Sequence, residues 1–235
     1  MSPLRLSPDD YDNPIAVPIE GVVDESEKSF QNLPYYETLV SKKQVQNMLI
    51  SPRAIRNRVK KMAKLIGSEY EQGTTIHAVM VLTGAFMFAS DLIREIFSQT
   101  GRDLILHLVK TSTYRKEIKH YGEKERMVKF QLDIDHLEGK KILVIEDLVD
   151  QGFTLNTLVS HLRNKKGAAS VKTCVLMRKN LKNPSSQVQE IKRKISIDYE
   201  GFFVPDVWIA GYGIDAANEY RHLPYIILVN EQSFK

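Results

Sequence analysis

The sequence predicts an α/β fold in which helices flank a largely parallel central sheet. Apolar runs of strand length recur along the chain, at 75–82, 104–109, 141–145, 171–177, 207–212 and 226–229. Segments with helical spacing of apolar residues separate several of these runs, and glycines or short polar turns lie between them. Alternating strands and helices indicate a parallel sheet, because a parallel connection needs a long crossover.

Three helices are expected between these strands. The first begins at Ser51, since serine caps the free amide groups of a helix and Pro52 fits its first turn. The second is expected over 85–97 and the third over 155–163. The side chains of the second helix that should face inward are Phe86, Ala89, Ile93 and Ile96.

Three segments show no clear period. Residues 1–40 contain repeated prolines, which interrupt any helix there. Residues 111–131 are polar and long for a loop in a compact domain, a length typical of lids and other functional elements. Residues 180–196 are basic and are predicted to form an exposed loop. The cluster Lys192-Arg193-Lys194 within that loop is expected to be solvated.

Composition limits the classes of protein that this chain can be. Its 235 residues are 43% hydrophobic and 26% charged, which is ordinary for a globular protein with a full core. A single cysteine, Cys174, excludes an internal disulfide and favours a reducing compartment. With no signal peptide at the first residues and no long apolar run, a cytoplasmic location and no membrane association are expected. The net charge of +4 suits phosphorylated ligands and gives no support to nucleic-acid binding.

One stretch carries most of the chemical signal, residues 142–154 with the sequence ILVIEDLVDQGFT. A buried strand ends in the adjacent acids Glu146 and Asp147, and Asp150 follows before Gly152 and the start of a helix. In open α/β sheets, ligands bind at the carboxyl ends of the strands. Backbone amides from 150 to 154, with the positive end of the helix dipole, would form an anion site suited to a phosphate monoester.

The acids beside this anion site need a separate explanation, because carboxylates repel phosphate. Carboxylates bind sugar hydroxyls and hydrated Mg²⁺ well. Glu146 and Asp147 next to a phosphate loop therefore describe a site for a sugar phosphate together with a metal ion.

The stretch resembles the phosphoribosyl pyrophosphate (PRPP) motif of type I phosphoribosyltransferases, and the chain from about residue 45 onward resembles the hypoxanthine-guanine(-xanthine) phosphoribosyltransferase family. The resemblance implies the type I phosphoribosyltransferase fold, with a small hood formed by the N- and C-terminal segments. It assigns PRPP contacts to Glu146, Asp147, Asp150, Gln151, Gly152, Phe153 and Thr154.

Two further segments resemble the family on the pyrophosphate side. The turn Leu82-Thr83-Gly84-Ala85 looks like the family's pyrophosphate loop, so Thr83 and Gly84 are implied to bind the leaving group beside a cis peptide bond. The segment Thr111-Ser112-Thr113-Tyr114 resembles a mobile lid, in which Thr113 and Tyr114 would help to exclude water.

Two more segments resemble the family on the purine side. Lys179 matches the lysine that reads the 6-oxo group, since a cationic donor prefers an oxo acceptor to the amino group of adenine. Trp208 matches an aromatic that stacks on the purine, and the backbone near Ile209 would bond to its edge. Asp215 matches a carboxylate that holds a second Mg²⁺ through water, and Arg221 an arginine that grips pyrophosphate.

The resemblance implies an enzyme of purine salvage. It would transfer the 5-phosphoribosyl group of PRPP to N9 of hypoxanthine or guanine, with xanthine as a further candidate base, giving IMP or GMP and pyrophosphate. Asp150 would be the catalytic general base at N7, and Mg²⁺ would be the cofactor, held through Glu146, Asp147 and Asp215. A homodimer or homotetramer is implied, without nucleic acid as a partner.

The resemblance also suggests a division of the chain. Residues 1–45 would form an N-terminal segment that contributes to the hood, 46–200 the PRPP-binding core, and 201–235 the purine-binding part of the hood.

Other functions stay open at this stage. Thr83, Gln151 and His222 depart from the residues that the family usually has, which leaves open a regulatory relative that binds PRPP or a nucleotide without turnover. The retained Asp150, Lys179, Asp215 and Arg221 argue against that alternative. An enzyme of the same reaction type with another base, such as xanthine alone or a pyrimidine, is a second alternative. A nucleic-acid-binding regulator that uses the basic 180–194 segment is a third.

Overall fold

The computed structural model describes residues 13–19, 36–41, 43–115, 126–132 and 136–234, with no side-chain detail for 112–115, 126–132 and 234. The strands are β1 (Ile15–Ala16), β2 (Val45–Ile50), β3 (Ile76–Leu82), β4 (Leu104–Arg115), β5 (Arg126–Leu132), β6 (Lys141–Val149), β7 (Ser170–Asn180), β8 (Tyr199–Pro205), β9 (Ile209–Ala210) and β10 (Ile226–Val229). The helices are α1 (Tyr36–Ser41), α2 (Pro52–Glu69), α3 (Phe86–Thr100), α4 (Phe153–Asn164) and α5 (Ser186–Lys194), followed by a 3₁₀ turn at Glu231–Phe234.

The central sheet has seven strands in the order β1-β8-β7-β6-β3-β4-β5. Every neighbouring pair is parallel except β4 and β5, which run antiparallel. Helices α2 and α3 pack on one face, where Phe88, Leu92 and Ile145 are fully buried. Helix α4 packs on the other face through Leu158 and Leu162. The predicted α/β class with a largely parallel sheet is therefore confirmed.

A smaller antiparallel sheet, in the order β2-β10-β9, lies apart from the central one. It shares a separate apolar cluster with α1, built from residues such as Leu39, Met48 and Ile227. Strand β2, near the N-terminal end of the described chain, thus pairs with a strand near the C-terminal end. We call this small sheet with α1 the hood, and the division at 45 and 200 remains a prediction.

The helix starts predicted from the sequence are largely confirmed. The Ser51 hydroxyl accepts a hydrogen bond from the amide of Ala54 at 3.1 Å, so it caps α2 as expected. The inward position of Phe86 is wrong, because its side chain is 55% exposed. Helix α3 begins at that residue, and its buried stripe runs through Phe88, Ala89, Leu92 and Ile96, two positions out of phase.

Two predicted loops contain regular structure. Residues 111–115 extend β4 and 126–132 form β5, so the two ends of the expected 111–131 loop form a hairpin; 116–125 lie outside the described residues. The exposed loop expected over 180–196 contains α5, which Ser185 caps by accepting from the amide of Val188. The strand predicted over 207–212 shortens to β9, whereas β1, β2, β8 and α1 were not predicted.

A close approach of two glycines joins the loop after β9 to the turn after β3. A Cβ atom placed on Gly213 would lie 2.0 Å from the carbonyl oxygen of Gly84, which is backbone and cannot swing away. Gly213 also has a φ of +101°, a backbone conformation that residues other than glycine rarely adopt. The loop after β9 can therefore touch the β3–α3 turn only because Gly213 lacks a side chain.

We expect Gly213→Ala to lower the free energy of unfolding by about 2 kcal/mol or more, because steric overlap adds to backbone strain. Gly73→Ala is the matched control, since Gly73 has a φ of +80° but no atom within 4 Å of its Cβ position. That control should cost only about 1 kcal/mol in urea unfolding. Equal losses in the two variants would show that the close approach to Gly84 is unimportant.

Candidate active site

The carboxyl edge of the central sheet carries the phosphate-type loop expected from the sequence. Residues 150–152 connect β6 to α4, whose first two residues are Phe153 and Thr154, and Gly152 stands at the N-cap of α4 with a φ of +89°. Among the described residues, no side chain caps this helix. The first amides of α4 are therefore available to an anion, and Asp150 and Thr154 lie half-buried beside them.

Two acids lie side by side just before this loop, within the last part of β6. Glu146 is only 7% exposed, and its Oε2 atom has no hydrogen-bond partner among the described residues. Burial raises the pKa of the Glu146 carboxyl well above its ordinary value, and the charge of Asp147 and a hydrogen bond between the two carboxyls raise it further. Burial also raises the pKa of Asp147, to about 6. Burial therefore makes it costly for both carboxyls of the pair to be ionised at once.

The turn after β3 packs directly on Asp147. A Cβ atom on Gly84 would lie 2.2 Å from Oδ2 of Asp147, so only a glycine leaves room for that carboxylate. The Leu82–Thr83 peptide bond is cis, in agreement with the resemblance. Thr83 itself is exposed at the surface of this turn. The predicted pyrophosphate loop thus borders the acid pair.

Arg221 approaches the same place from the hood side. Its guanidinium donates to the carbonyl oxygen of Gly213 at 2.7 Å and forms an ion pair with Asp215 at 2.6 Å. Its charge also lowers the pKa of Asp147, against the larger effect of burial. The structure thus brings Gly84, Asp147 and Arg221 together, with Asp215 paired to Arg221. His222 is exposed.

The residues predicted to bind a purine lie on two other segments. Lys179 is half-buried near the end of β7, one residue after the last β6–β7 pair, Val149 with Arg178. It therefore lies level with Asp150 at the edge of the sheet. Trp208 packs partly against the hood core, and its carbonyl oxygen accepts from the amide of Val229 at 2.9 Å. Ile209, in β9, is buried.

The predicted lid residues lie in the hairpin of β4 and β5. Thr113 pairs with Val128 and Tyr114 with Met127, beyond the point where β3 ends beside Lys110. The backbone of the hairpin therefore extends past the carboxyl edge of β3. The side chains of Thr113 and Tyr114 lie outside the described residues.

Sequence reasoning missed one residue at this edge, Lys192. It was assigned to a solvated cluster, yet its Nζ atom donates to the carbonyl oxygen of Lys179 at 3.0 Å. The signal was present in the sequence, where Ile191 and Ile195 follow Val188 by three and seven residues. This spacing indicates a helix with one apolar face.

The acid pair suits a metal ion only in part. Within the described part of the chain, no group of three His, Cys, Asp or Glu side chains is placed to hold a metal ion. The unpartnered Oε2 of Glu146 and the carboxylate of Asp147 are oxygen ligands of the kind that Mg²⁺ prefers. These residues fit a hydrated Mg²⁺ that takes its other oxygens from water or from a bound substrate. In the described helices, no segment is long and apolar enough to span a membrane.

Comparison with known proteins agrees with this geometry. A family model described as a phosphoribosyl transferase domain matches residues 52–217. The hypoxanthine-guanine phosphoribosyltransferase of Bacillus subtilis is 39% identical over 186 residues, which is 79% of this chain and 93% of that protein. The enzyme of the same name from Dictyostelium discoideum is 32% identical over 191 residues, covering 81% of this chain and 98% of that protein.

A solved structure shows the same similarity. A crystal structure of a hypoxanthine-guanine phosphoribosyltransferase from Bacillus anthracis superposes with a TM-score of 0.64 at 32% identity, covering 80% of this chain and 99% of that one. A variant hypoxanthine phosphoribosyltransferase from Trypanosoma cruzi, complexed with the product IMP, gives a TM-score of 0.67 at 28% identity, with 82% and 94% coverage.

The acid pair makes a prediction about stability. A carboxyl whose pKa is higher in the folded than in the unfolded protein destabilises the fold once the pH exceeds the unfolded value. Removing the charge in Glu146→Gln should therefore raise the unfolding free energy at pH 8 by about 1–3 kcal/mol, and the gain should shrink toward pH 4.5.

Thermal unfolding between pH 4.5 and pH 8 measures this effect. Glu71→Gln is the control, because Glu71 is exposed and far from the pair in sequence. Its melting temperature should follow that of the wild type at every pH. A Glu146→Gln protein that is less stable than the wild type at pH 8 would refute the prediction.

Proposed function

The chain belongs to the phosphoribosyltransferase family, and from this premise we propose that it transfers the 5-phosphoribosyl group of PRPP to N9 of a 6-oxopurine. The products would be pyrophosphate and IMP or GMP, with xanthine as a further candidate base. Such a reaction recovers free bases in purine salvage. One observation carries the proposal, namely the convergence of an uncapped helix N-terminus, a buried acid pair and an arginine at one edge of the sheet.

The parts of PRPP match the parts of this edge. The 5-phosphate would accept hydrogen bonds from the amides of the 150–154 loop, made up of Asp150, Gln151, Gly152, Phe153 and Thr154. Glu146 and Asp147 would bind the 2- and 3-hydroxyls of the ribose. The pyrophosphate would face Thr83, Gly84 and Arg221, whose guanidinium already lies close enough to lower the pKa of Asp147.

This arrangement explains how the residues lower the reaction barrier. As the bond between C1 and pyrophosphate breaks, positive charge develops on the ribose ring. The carboxylates of Glu146 and Asp147 stabilise that charge more in the transition state than in the substrate. The buried position of Glu146 strengthens this attraction, because fewer water molecules screen it. Asp150 would take the N7 proton of the base while N9 attacks C1.

The purine would lie between the core and the hood. Lys179 would donate to the 6-oxo group, Trp208 would stack on the ring, and the backbone at Ile209 would bond to its edge. The IMP complex of the Trypanosoma cruzi relative supports a 6-oxopurine product for this chain as well. Adenine would be disfavoured, because its amino group offers a donor where Lys179 also donates.

Mg²⁺ is the proposed cofactor. When bound, it would neutralise the charge of the pyrophosphate leaving group. Glu146 and Asp147 would hold it together with substrate oxygens, and Asp215 would reach a second ion through water, since its own carboxylate is engaged by Arg221.

The remaining parts of the proposal concern organisation. Thr113 and Tyr114, on the β4–β5 hairpin, would close over the bound substrates. A homodimer or homotetramer is supported by apolar side chains on the surface of α3 and β4. Phe97 and Leu106 are 60% and 49% exposed, and with Ile93 and Leu104 they line an open cleft. A cytoplasmic location is consistent with the single, buried thiol of Cys174.

Purified protein assayed with PRPP and Mg²⁺ tests the function directly. Hypoxanthine, guanine, xanthine, adenine and uracil are offered separately, and nucleotide formation is followed by absorbance. Turnover with at least one 6-oxopurine, and none with adenine or uracil, is the expected result. Tight PRPP or nucleotide binding without turnover on any base would instead favour the regulatory relative.

Asp150→Asn tests the catalytic base. The variant should keep its melting temperature and PRPP affinity but lose about 10²–10⁴ in kcat, the usual contribution of general acid–base catalysis. Asp103→Asn is the control, because Asp103 is exposed at the opposite edge of the sheet, next to the start of β3. Near wild-type turnover in Asp150→Asn would remove Asp150 from the mechanism.

A further inference from the structure

Helix α5 presents its basic residues in two different ways. Lys194 lies in solvent and pairs with Glu190 one turn earlier, at 2.7 Å, with both side chains at least 60% exposed. Lys192 turns inward instead, and its Nζ atom donates to the carbonyl oxygen of Lys179 at 3.0 Å. One helix thus combines an ordinary surface ion pair with a cation bound to the end of β7.

The bond from Lys192 lies where β7 has lost its β6 neighbour and keeps only β8 as a pairing strand. Pairing between β6 and β7 ends at Val149 and Arg178, one residue before Lys179. On its other side, β7 continues to pair with β8 up to Asn180. The ammonium of Lys192 therefore adds a contact on the side that β6 leaves unpaired, at the residue that the proposed function assigns to the purine.

Charges from several segments surround that ammonium. Asp150 on the phosphate-type loop, Glu200 on β8 and Asp206 after β8 attract it, while Arg178 on β7 repels it. Burial and Arg178 lower the pKa of Lys192, and the three carboxylates oppose this effect. Arg178 itself forms an ion pair with Glu200 at 2.9 Å, and the cation of Lys192 adds to it in offsetting the carboxylates of these segments.

The apolar face of α5 contacts the phosphate-type loop. A Cβ atom on Gly152 would lie 2.4 Å from Cδ1 of Ile195 and 3.4 Å from Cγ2 of Ile191, so both isoleucines lie against that glycine. Beneath the helix is an open cleft of about 270 Å³, lined by Val149, Arg178, Lys192, Ile195, Ile197 and Glu200. The side chain of Lys192 therefore lines an open cleft and is not part of a packed core.

We propose that α5 is a positioning element of the site, in which Lys192 holds the purine-binding end of β7 in place against the phosphate-type loop. The inference rests on the proposed function, which assigns Lys179 to the purine base. It adds Lys192 as a residue that affects the base only through its bond to Lys179. Without the bond, the carbonyl of Lys179 can shift, and the lysine that faces the base shifts with it.

Steady-state kinetics of three variants test this role. Lys192→Met keeps the aliphatic stem and removes the charge, Lys192→Arg restores a charged donor, and Lys194→Met removes a cation from the exposed side of the same helix. Lys192→Met should raise KM for the purine base about 10-fold, the effect of losing one charged hydrogen bond, with KM for PRPP within 2-fold. Lys192→Arg should recover most of this loss, and Lys194→Met should match the wild type.

Hydrogen exchange of the free proteins gives a readout independent of turnover. In Lys192→Met, amides in 178–183 should exchange faster than in the wild type and in Lys194→Met, while the melting temperature stays within about 2 °C. An unchanged exchange pattern, or an equal rise of both KM values with a large loss of thermal stability, would overturn the inference. If the wild type shows no turnover but the exchange difference appears, the positioning role stands and the proposed function fails.

Discussion

The structure of the carboxyl edge depends on two neighbouring carboxyls near the end of β6, the buried Glu146 and the half-buried Asp147. Two like charges that are largely removed from water cannot both be ionised cheaply, and the raised pKa values of the pair express that cost. Such an arrangement opposes folding, so the surroundings must tolerate it. Its value is functional, because a site with excess negative charge binds a cationic transition state more strongly than a neutral substrate.

The space and the charge around this pair limit which residues can lie beside it. Gly84 approaches Asp147 more closely than any side chain would allow, and Gly213 approaches Gly84 in turn. These contacts bring Arg221 to the acids from the hood, so the core and the hood meet at the charged end of β6. The space beside Asp147 thus accounts for Gly84, and the approach of Gly213 to Gly84 brings Arg221 toward the acids.

Much of this organisation could be predicted from the sequence. The fold class followed from the alternation of apolar strands and helices, and the phosphate-type loop followed from acids, a glycine and a helix start after a strand. The close approach of Gly84 and Gly213 could not be predicted, because it joins positions 129 residues apart through backbone atoms. Phe86 is apolar and was therefore predicted to face inward, but as the first residue of α3 it is out of phase with the buried stripe.

The basic segment before β8 shows why charge alone misleads. Lys192, Arg193 and Lys194 are adjacent in the sequence, yet a helix turns consecutive side chains by about 100°, so that neighbours face different surroundings. The helical spacing of the apolar residues Val188, Ile191 and Ile195 determines which face of α5 packs inward, and therefore which lysine faces the sheet. A cation that lies among Asp150, Glu200 and Asp206 then balances acids that the fold collects at one edge. Negative charge concentrated for binding thus needs a compensating cation nearby, and α5 supplies it from outside the loops that contact the substrate.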